Sequence, residues 1–493
     1  MAKKTIVGFD CGNSSYRVVL GTYDGVRILT EVIDQIPNSM VKAGNYYYWD
    51  ILRMFSDFKN ILKRLVSRGE TIDSIGICTW GVDFSLFDRK GNMLNNPLAY
   101  RNALGEQQLS EMTDSERKQM FLNTGILCDK INSVYLLKGM KEEMPDVYQA
   151  ADRLLMIPDI LNYLLTGKML NEPSEFSTTQ LMDVNTKSIS DFVCRKMEIS
   201  RNLFHDFGKH GEAIGYLSDD IKAEIGAGYD IPVVCVPSHD TAAAVLAVPA
   251  RQTHFAFISS GTWALVGTEL LKPLLSKEVY EAGLTNELGA FGTITLLKNG
   301  AGMFLIQRIK KEYETDAKRE VTWEEIVKLS DEERGKKIPL IDMNDIRFFN
   351  PVHMGKEIWN YLKETKQAEG GFSWNTIVKS VYESMACSYA VTIEHLQRVT
   401  KEYFDCIYIV GGGAKNELVN QMTANCTGKN VIACFGESTA MGNIAAQLNY
   451  FEPYLELKTI REIVCNSVET KSYMPDTDTS YLIDSYKKLQ KRS

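Results

Sequence analysis

The chain has 493 residues, which at ~150 residues per domain suggests two to four domains. Apolar residues are 44% and charged residues 24%, which excludes a mostly disordered chain and a fibrous one. Lys and Arg number 55 against 63 Asp and Glu, a net charge of −8, so nucleic acid and anionic membrane are poor partners and small molecules are favoured.

Thr5 to Asp10 reads as a short buried strand, ending in the turn-rich Cys11-Gly12-Asn13-Ser14-Ser15. Tyr16 to Thr22 is a second strand, Asp24-Gly25 a hairpin signal and Val26 to Ile33 a third strand. Ile51, Leu52, Phe55, Phe58, Ile61, Leu62 and Leu65 recur at helical spacing, capped by Asp50 and stopped at Gly69. Ile72 to Cys78 and Val82 to Phe87 return to strand. Three strands joined by hairpins, then a helix, then a strand, predict a mixed sheet with helices on its faces.

A similar order restarts near residue 254. Phe255 to Ile258 and Trp263 to Thr268 are strands around Ser259-Ser260-Gly261-Thr262. Trp374 to Thr400 is a long helix, and Cys406 to Val410 a buried strand followed by Gly411-Gly412-Gly413. Glu417 to Cys426 (helix), Asn430 to Ala433 (strand) and Ala440 to Leu448 (helix) complete the series. The expected organisation is α/β, with two like-built domains at 1–250 and 251–450, an extension at 451–493, and a boundary around Pro249 to Thr253. Lys310 to Arg334 reads as a charged, solvated helical face, and Lys487 to Ser493 as a frayed basic tail.

The ten cysteines form no C-x-x-C pair, and the six histidines make a multi-His metal site a poor prospect. No signal-peptide pattern opens the chain, and the longest apolar run, Ala242 to Ala250, is too short for a membrane span and contains Pro249. A cytoplasmic protein with reduced thiols is expected.

No G-x-x-x-x-G-K-[ST], no G-x-G-x-x-G after a strand and no G-x-S-x-G occurs. The two turns rich in small hydroxyl residues, at 12–15 and 259–262, could instead expose successive N–H groups to phosphate oxygens. Gly411, Gly412 and Gly413 allow close approach to a ligand. Asp10, ending its strand beside the first turn, could hold a phosphate-bound Mg²⁺ through water. In Ser238-His239-Asp240-Thr241, Asp240 reads as the N-cap of an alanine-rich helix, a position that favours its ionised form and leaves it available as a base. In Trp80-Gly81-Val82-Asp83 an indole and a carboxylate suit a sugar's C–H face and hydroxyls. The plainer alternative is a buried Trp beside a solvated Asp83.

Together, Asp10 to Ser15, Ser238 to Thr241, Ser260 to Trp263 and Val410 to Gly413 resemble the FGGY carbohydrate kinases. Within that family, Thr79 to Asp83, Pro97 to Arg101, Ser177 to Leu181, Thr285 to Glu287, Leu296 to Asn299 and Gly442 to Ile444 are most similar to the rhamnulokinases. The resemblance implies a two-domain actin/hexokinase/Hsp70-like (ribonuclease H-like) fold with an interdomain cleft. It implies ATP and Mg²⁺ as cofactors and a ketose as substrate, L-rhamnulose first, with L-fuculose, a pentulose or a non-catalytic sensor as alternatives. Asp240 is then the catalytic base, and Gly81, Asp83, His239, Asp240, Thr241 and Asn299 contact the sugar. Asn13, Ser14, Ser15, Tyr16, Arg17, Thr262, Gln307 and Gly411 to Gly413 hold ATP, Asp10 holds the metal, and the protein is a monomer or homodimer. Cys78, Tyr16 and Asn102 depart from that pattern.

Overall fold

The computed structural model describes residues 3–252, 254–331 and 338–490. Thr253 of the expected boundary, 332–334 of the charged segment and 491–493 of the basic tail lie outside the described residues.

The chain opens with β1 (Lys4–Cys11), β2 (Ser15–Tyr23) and β3 (Ile28–Pro37), followed by α1 (Ile51–Ser67) and β4 (Ser74–Thr79). Asp50 caps α1 by accepting from the Arg53 N–H at 3.2 Å. The apolar stripe of α1, including Met54, Phe58, Ile61 and Leu65, is buried. The short α2 (Pro173–Ser177), β5 (Ala213–Tyr216), β6 (Pro232–Val234) and α3 (Asp240–Leu246) come next. The first sheet has the order β5-β6-β4-β1-β2-β3. β1 is antiparallel to β2 and parallel to β4, which puts Asp10 opposite both Arg17 and Cys78.

The second half supplies β7 (Ala256–Ser260), β8 (Trp263–Leu270), β9 (Thr285–Leu288), β10 (Ile294–Ala301), α4 (Phe304–Ala317) and α5 (Trp374–Thr400). It ends with β11 (Cys406–Val410), α6 (Glu417–Thr427), β12 (Asn430–Cys434), α7 (Ser438–Phe451) and β13 (Thr470–Tyr473). Their sheet runs β9-β10-β8-β7-β11-β12-β13. The charged segment forms the end of α4 and a second helix, Trp323–Asp331.

Two compact units emerge, and neither is contiguous in sequence. The first comprises residues up to Arg251 with Glu269–Leu296 and Gly436–Val468; the second comprises Gln252–Thr268, Leu297–Phe435 and the residues from Glu469. The expected segments 1–250, 251–450 and 451–493 are contiguous, and the difference has a physical cause. Helix α7 lies on the first sheet, where Asn443 and Gln447 donate to the backbone carbonyls of Phe9 (3.2 Å) and Val7 (3.1 Å), and Ser74 Oγ donates to Gln447 at 2.6 Å. A buried Arg461–Glu269 ion pair at 2.8 Å joins the two inserted segments to each other within the same unit.

Candidate active site

In the first unit β1 ends beside a tight turn. The Gly12 N–H donates to the Ser15 carbonyl at 2.9 Å, while Asn38 donates to the carbonyls of Ser14 (2.9 Å) and Gly12 (3.0 Å). The carbonyls of Gly12, Ser14 and Ser15 are thereby occupied, and Asn13 and Ser14 are exposed. Tyr16 is different: its ring is 2% exposed, edge-on to Phe58, and its hydroxyl donates to Asp57. Strand alternation sends this side chain into the core, so position 16 offers the turn only its backbone.

Asp10 is buried, and Arg17 lies between two carboxylates, 3.5 Å from Asp10 and 3.0 Å from Glu437. Burial pushes the Asp10 carboxyl up to about 7; Arg17 opposes the shift, and Asp240 and Glu437 add to it. No group of three or more His, Cys, Asp or Glu side chains that could hold a metal ion occurs among the described residues. A single buried carboxylate fits Mg²⁺, which keeps several waters and takes further ligands from substrate phosphates.

Asp240 is the first residue of α3, and the N-cap is His239. This corrects the expectation that Asp240 itself caps the helix. His239 has the extended backbone of a cap, which lets its carbonyl accept the first helical bond, from the Ala243 N–H at 3.1 Å. The Asp240 side chain is 37% exposed, and Thr241 Oγ donates to it at 3.2 Å. Burial of its surroundings pushes the Asp240 carboxyl up, while His239 and Thr241 pull it down. The His239 N–H donates to Ser174 Oγ (3.2 Å), whose hydroxyl donates to Glu172 (2.7 Å). Glu172 also accepts the N–H groups of Ser174 and Glu175, and His210 Nε2 is beside it. Because His210 Nδ1 accepts from the Phe291 N–H at 2.8 Å, its proton sits on Nε2, facing Glu172.

Asp83 is neither solvated nor open. It is fully buried, and one carboxylate oxygen accepts both the Trp49 indole at 2.6 Å and the Trp80 indole at 2.7 Å. Burial pushes its carboxyl up to about 7 against the pull of the two indoles. Neither sequence expectation for Asp83, a group accepting sugar hydroxyls or a solvated carboxylate, describes this arrangement. Val82 has φ 72°, a left-handed conformation that is uncommon and costly for a β-branched residue. It is held by Thr178 Oγ accepting its N–H at 3.0 Å and by Ser133 Oγ donating to its carbonyl. Gly81 is half-buried against Thr178. Two departures noted from sequence have local partners: Cys78 Sγ donates to the Pro237 carbonyl, and Asn102 pairs with both backbone groups of Tyr47.

In the second unit three sequence-predicted pieces converge. The turn between β7 and β8 leaves Gly261 and Thr262 exposed, and the N–H groups of Met303 and Phe304, where α4 begins, donate to the carbonyls of Gly261 and Thr262 at 3.0 and 3.2 Å. Gln307 is exposed one turn into α4. Gly413 lies over Ser260 so closely that a Cβ there would be 1.9 Å from Ser260 Oγ. Gly411 has φ 83°, and a Cβ at Gly412 would meet nothing within 4 Å. Asn299 also falls in this unit, exposed on β10.

Models of the FGGY family of carbohydrate kinases match the chain twice, the N-terminal domain over residues 5–247 and the C-terminal domain over 256–449. The chain belongs to the FGGY family of carbohydrate kinases. It is 34% identical to a rhamnulokinase of Bacteroides thetaiotaomicron, covering 96% of both chains. It is likewise 34% identical to a rhamnulokinase of Oceanobacillus iheyensis, covering 94% of this chain and 97% of that one. The fold matches a ligand-bound xylulose kinase from Lactobacillus acidophilus with a TM-score of 0.80 at 15% identity, covering 99% of this chain and 96% of that one. This FGGY kinase is therefore a phosphotransferase that uses ATP to phosphorylate a sugar. No helix among the described residues is long and apolar enough to cross a membrane.

Glu172, Ser174, Glu287 and Glu437 stand near the site residues and were not singled out as members of it by sequence. Glu287 lies in the Thr285-Asn286-Glu287 string, so family resemblance was its only signal. For Glu172 and Ser174 no sequence signal exists, because their role depends on where α2 lands.

Proposed function

We propose that the sugar is L-rhamnulose and that its primary O1 hydroxyl is the acceptor. The observation that carries this reading is the 34% identity to a rhamnulokinase over 96% of both chains. Asp240 takes the O1 proton as O1 bonds to the γ-phosphorus. The bond from that phosphorus to the β,γ-bridging oxygen breaks, and ADP leaves with the electron pair. Little covalent chemistry is asked of the protein, so positioning and charge neutralisation carry the rate. Asp240 suits a base because its carboxyl is accessible and is pushed upward by burial, towards the working pH.

In this reading Gly81, His239, Asp240, Thr241 and Asn299 contact the ketose. Asp83 acts through the indoles that it orients. The turn from Asn13 to Ser15, the Tyr16 backbone, Arg17, Thr262, Gln307 and Gly411 to Gly413 hold ATP. Asp10 would hold Mg²⁺, which when bound would neutralise charge on the phosphates. All ten cysteines are free thiols, which supports a cytoplasmic location.

The test is ADP release with ATP and a panel of L-rhamnulose, L-fuculose, L-ribulose and D-xylulose. The expected result is a kcat/KM for L-rhamnulose at least ~10-fold above the others, the discrimination that a few lost contacts produce. A higher value for another ketose overturns the sugar assignment. Calorimetric binding of sugar and ATP with no ADP release overturns the reaction.

A further inference from the structure

We propose that Glu287 is a positioning residue for phosphoryl transfer: it clamps His239 against Asp240 and holds the imidazole in its cationic form. This inference rests on the role proposed above for Asp240 and adds a residue that no sequence motif assigned to the chemistry.

The geometry has three parts. The His239 ring is enclosed between two carboxylates, with Nδ1 3.3 Å from Glu287 Oε2 and Nε2 3.5 Å from Asp240 Oδ1. The His239 and Glu287 side chains are only 11% and 14% exposed. Neither His239 Nδ1 nor Glu287 Oε2 has an aligned hydrogen-bond partner among the described residues, so each is the other's charge partner. Both residues are also anchored to one short helix. The His239 N–H donates to Ser174 Oγ at 3.2 Å, and the N–H of Leu288, next to Glu287, donates to Ser177 Oγ at 3.0 Å, both on α2. On the other side of Glu287 the Asn286 N–H donates to the Gly125 carbonyl at 2.8 Å, and the Asn286 side chain both donates to and accepts from the Leu274 backbone. The carboxylate is thus presented by a strand pinned at both neighbours.

The charge logic follows from the surroundings. The carboxylates acting on His239 are Glu287 from β9, Asp240 from its own helix and Glu172 from the residue before α2. Burial alone disfavours a charged imidazole. It is the largest single influence and pulls His239 down, but Glu287, Asp240 and Glu172 together overcome it and raise the ring to about 9. A cationic His239 has two donors and no acceptor. It cannot take the sugar's proton, and its charge beside Asp240 favours the ionised carboxylate, so the base role falls to one residue.

The test is Glu287→Gln in the full-length enzyme, with two readouts. The first is the titration of the His239 ring by NMR of histidine-labelled protein; the chain has six histidines, and His239→Gln identifies the resonance. The wild-type ring is expected to titrate above pH 8, and the Glu287→Gln ring at least about one pH unit lower, a tenfold change in proton affinity. The second is steady-state kinetics at pH 8, where Glu287→Gln is expected to lower kcat ~10- to 100-fold with both KM values within about threefold, and Glu287→Asp to recover part of the loss. A wild-type ring titrating near the ordinary histidine value, a ring unmoved by Glu287→Gln, or an unchanged kcat overturns the proposal. The titration requires no turnover. A shifted ring in a protein that phosphorylates no ketose therefore rejects the proposed function and not the clamp, whereas an active enzyme with an unmoved ring rejects the clamp alone.

Discussion

Gly442→Ala tests whether the spacing of two helices sets the position of the proposed base. Helices α3 and α7 cross where a Cβ at Gly442 would be 1.8 Å from the Ala243 carbonyl oxygen, 2.6 Å from its carbon and 3.1 Å from its Cα. An ordinary carbon–oxygen contact needs ~3.3 Å, so the helices must separate by roughly 1.5 Å. The obstructing atoms are backbone, which no rotamer change can move. Ala243 is three residues after Asp240 on the seven-residue α3, so a displacement of this size reaches the carboxylate. A misplacement of about 1 Å costs on the order of 100-fold in rate, and overpacking costs about 1–3 kcal/mol or more in stability. The expected result is a kcat at least ~100-fold down, with a lower midpoint of thermal unfolding and a secondary-structure spectrum like wild type. A variant with wild-type kcat and an unchanged midpoint would falsify the argument that this contact fixes α3.

Asp240→Asn should lower kcat by ~10²–10⁴-fold, the range for a lost general base, while calorimetry still detects ketose binding. In the wild type the acid limb of kcat should have its midpoint above the ordinary carboxylate value, because burial pushes Asp240 up. Burial pushes the Asp83 carboxyl up to about 7 in the folded protein, well above the ordinary carboxylate value of about 4, so between these values the folded state holds a proton that the unfolded chain has released. Its contribution is present below about pH 4 and is lost as pH rises to about 7, a span of at most ~4 kcal/mol at 1.36 kcal/mol per unit. In denaturant titrations across that window Asp83→Asn should show a correspondingly flatter loss; parallel curves for the two proteins would reject the shifted carboxyl. Tyr16→Phe removes the bond to Asp57 and should cost about 1 kcal/mol in stability with the KM for ATP unchanged. A raised KM would mean that the Tyr16 side chain does reach the nucleotide.

Local signals in the sequence survive folding well where caps and periodicity agree. Ser373 caps α5 by accepting the Thr376 N–H, and the helix covers the expected Trp374–Thr400. The β11 boundaries, Cys406–Val410, also match the expectation. The glycine and hydroxyl turns fall at strand ends as the spacing predicts. What was illegible is long-range. The carboxylate of Asp83 reads equally well as a sugar ligand or a solvated group until Trp49, 34 residues earlier, is seen to share it. Asp240 reads as a cap because Asp is a preferred capping residue, but the extended backbone of His239 decides the matter.

The non-contiguous units follow from the same limit. A strand pattern reports burial on two faces but not which helix covers it. Gly8, Gly21 and Gly76 lie on β1, β2 and β4, which the first sheet makes neighbours. Cβ atoms at these positions would be 3.2 Å from Ile444 at Gly8, 2.6 Å from Ile444 at Gly21 and 2.4 Å from Asn443 at Gly76. Read singly, each glycine merely weakens a strand; read across the paired register, the three form a shallow seat for one closely packed helix. The helix that fills it comes from more than 400 residues after β1, and it carries the small Gly442 that lets α3 approach. The base at the start of α3 is therefore positioned by a helix from the far end of the chain. Exchanging the segment from 436 to 451 should consequently alter catalysis even though its buried residues include none of the groups proposed to touch sugar or nucleotide.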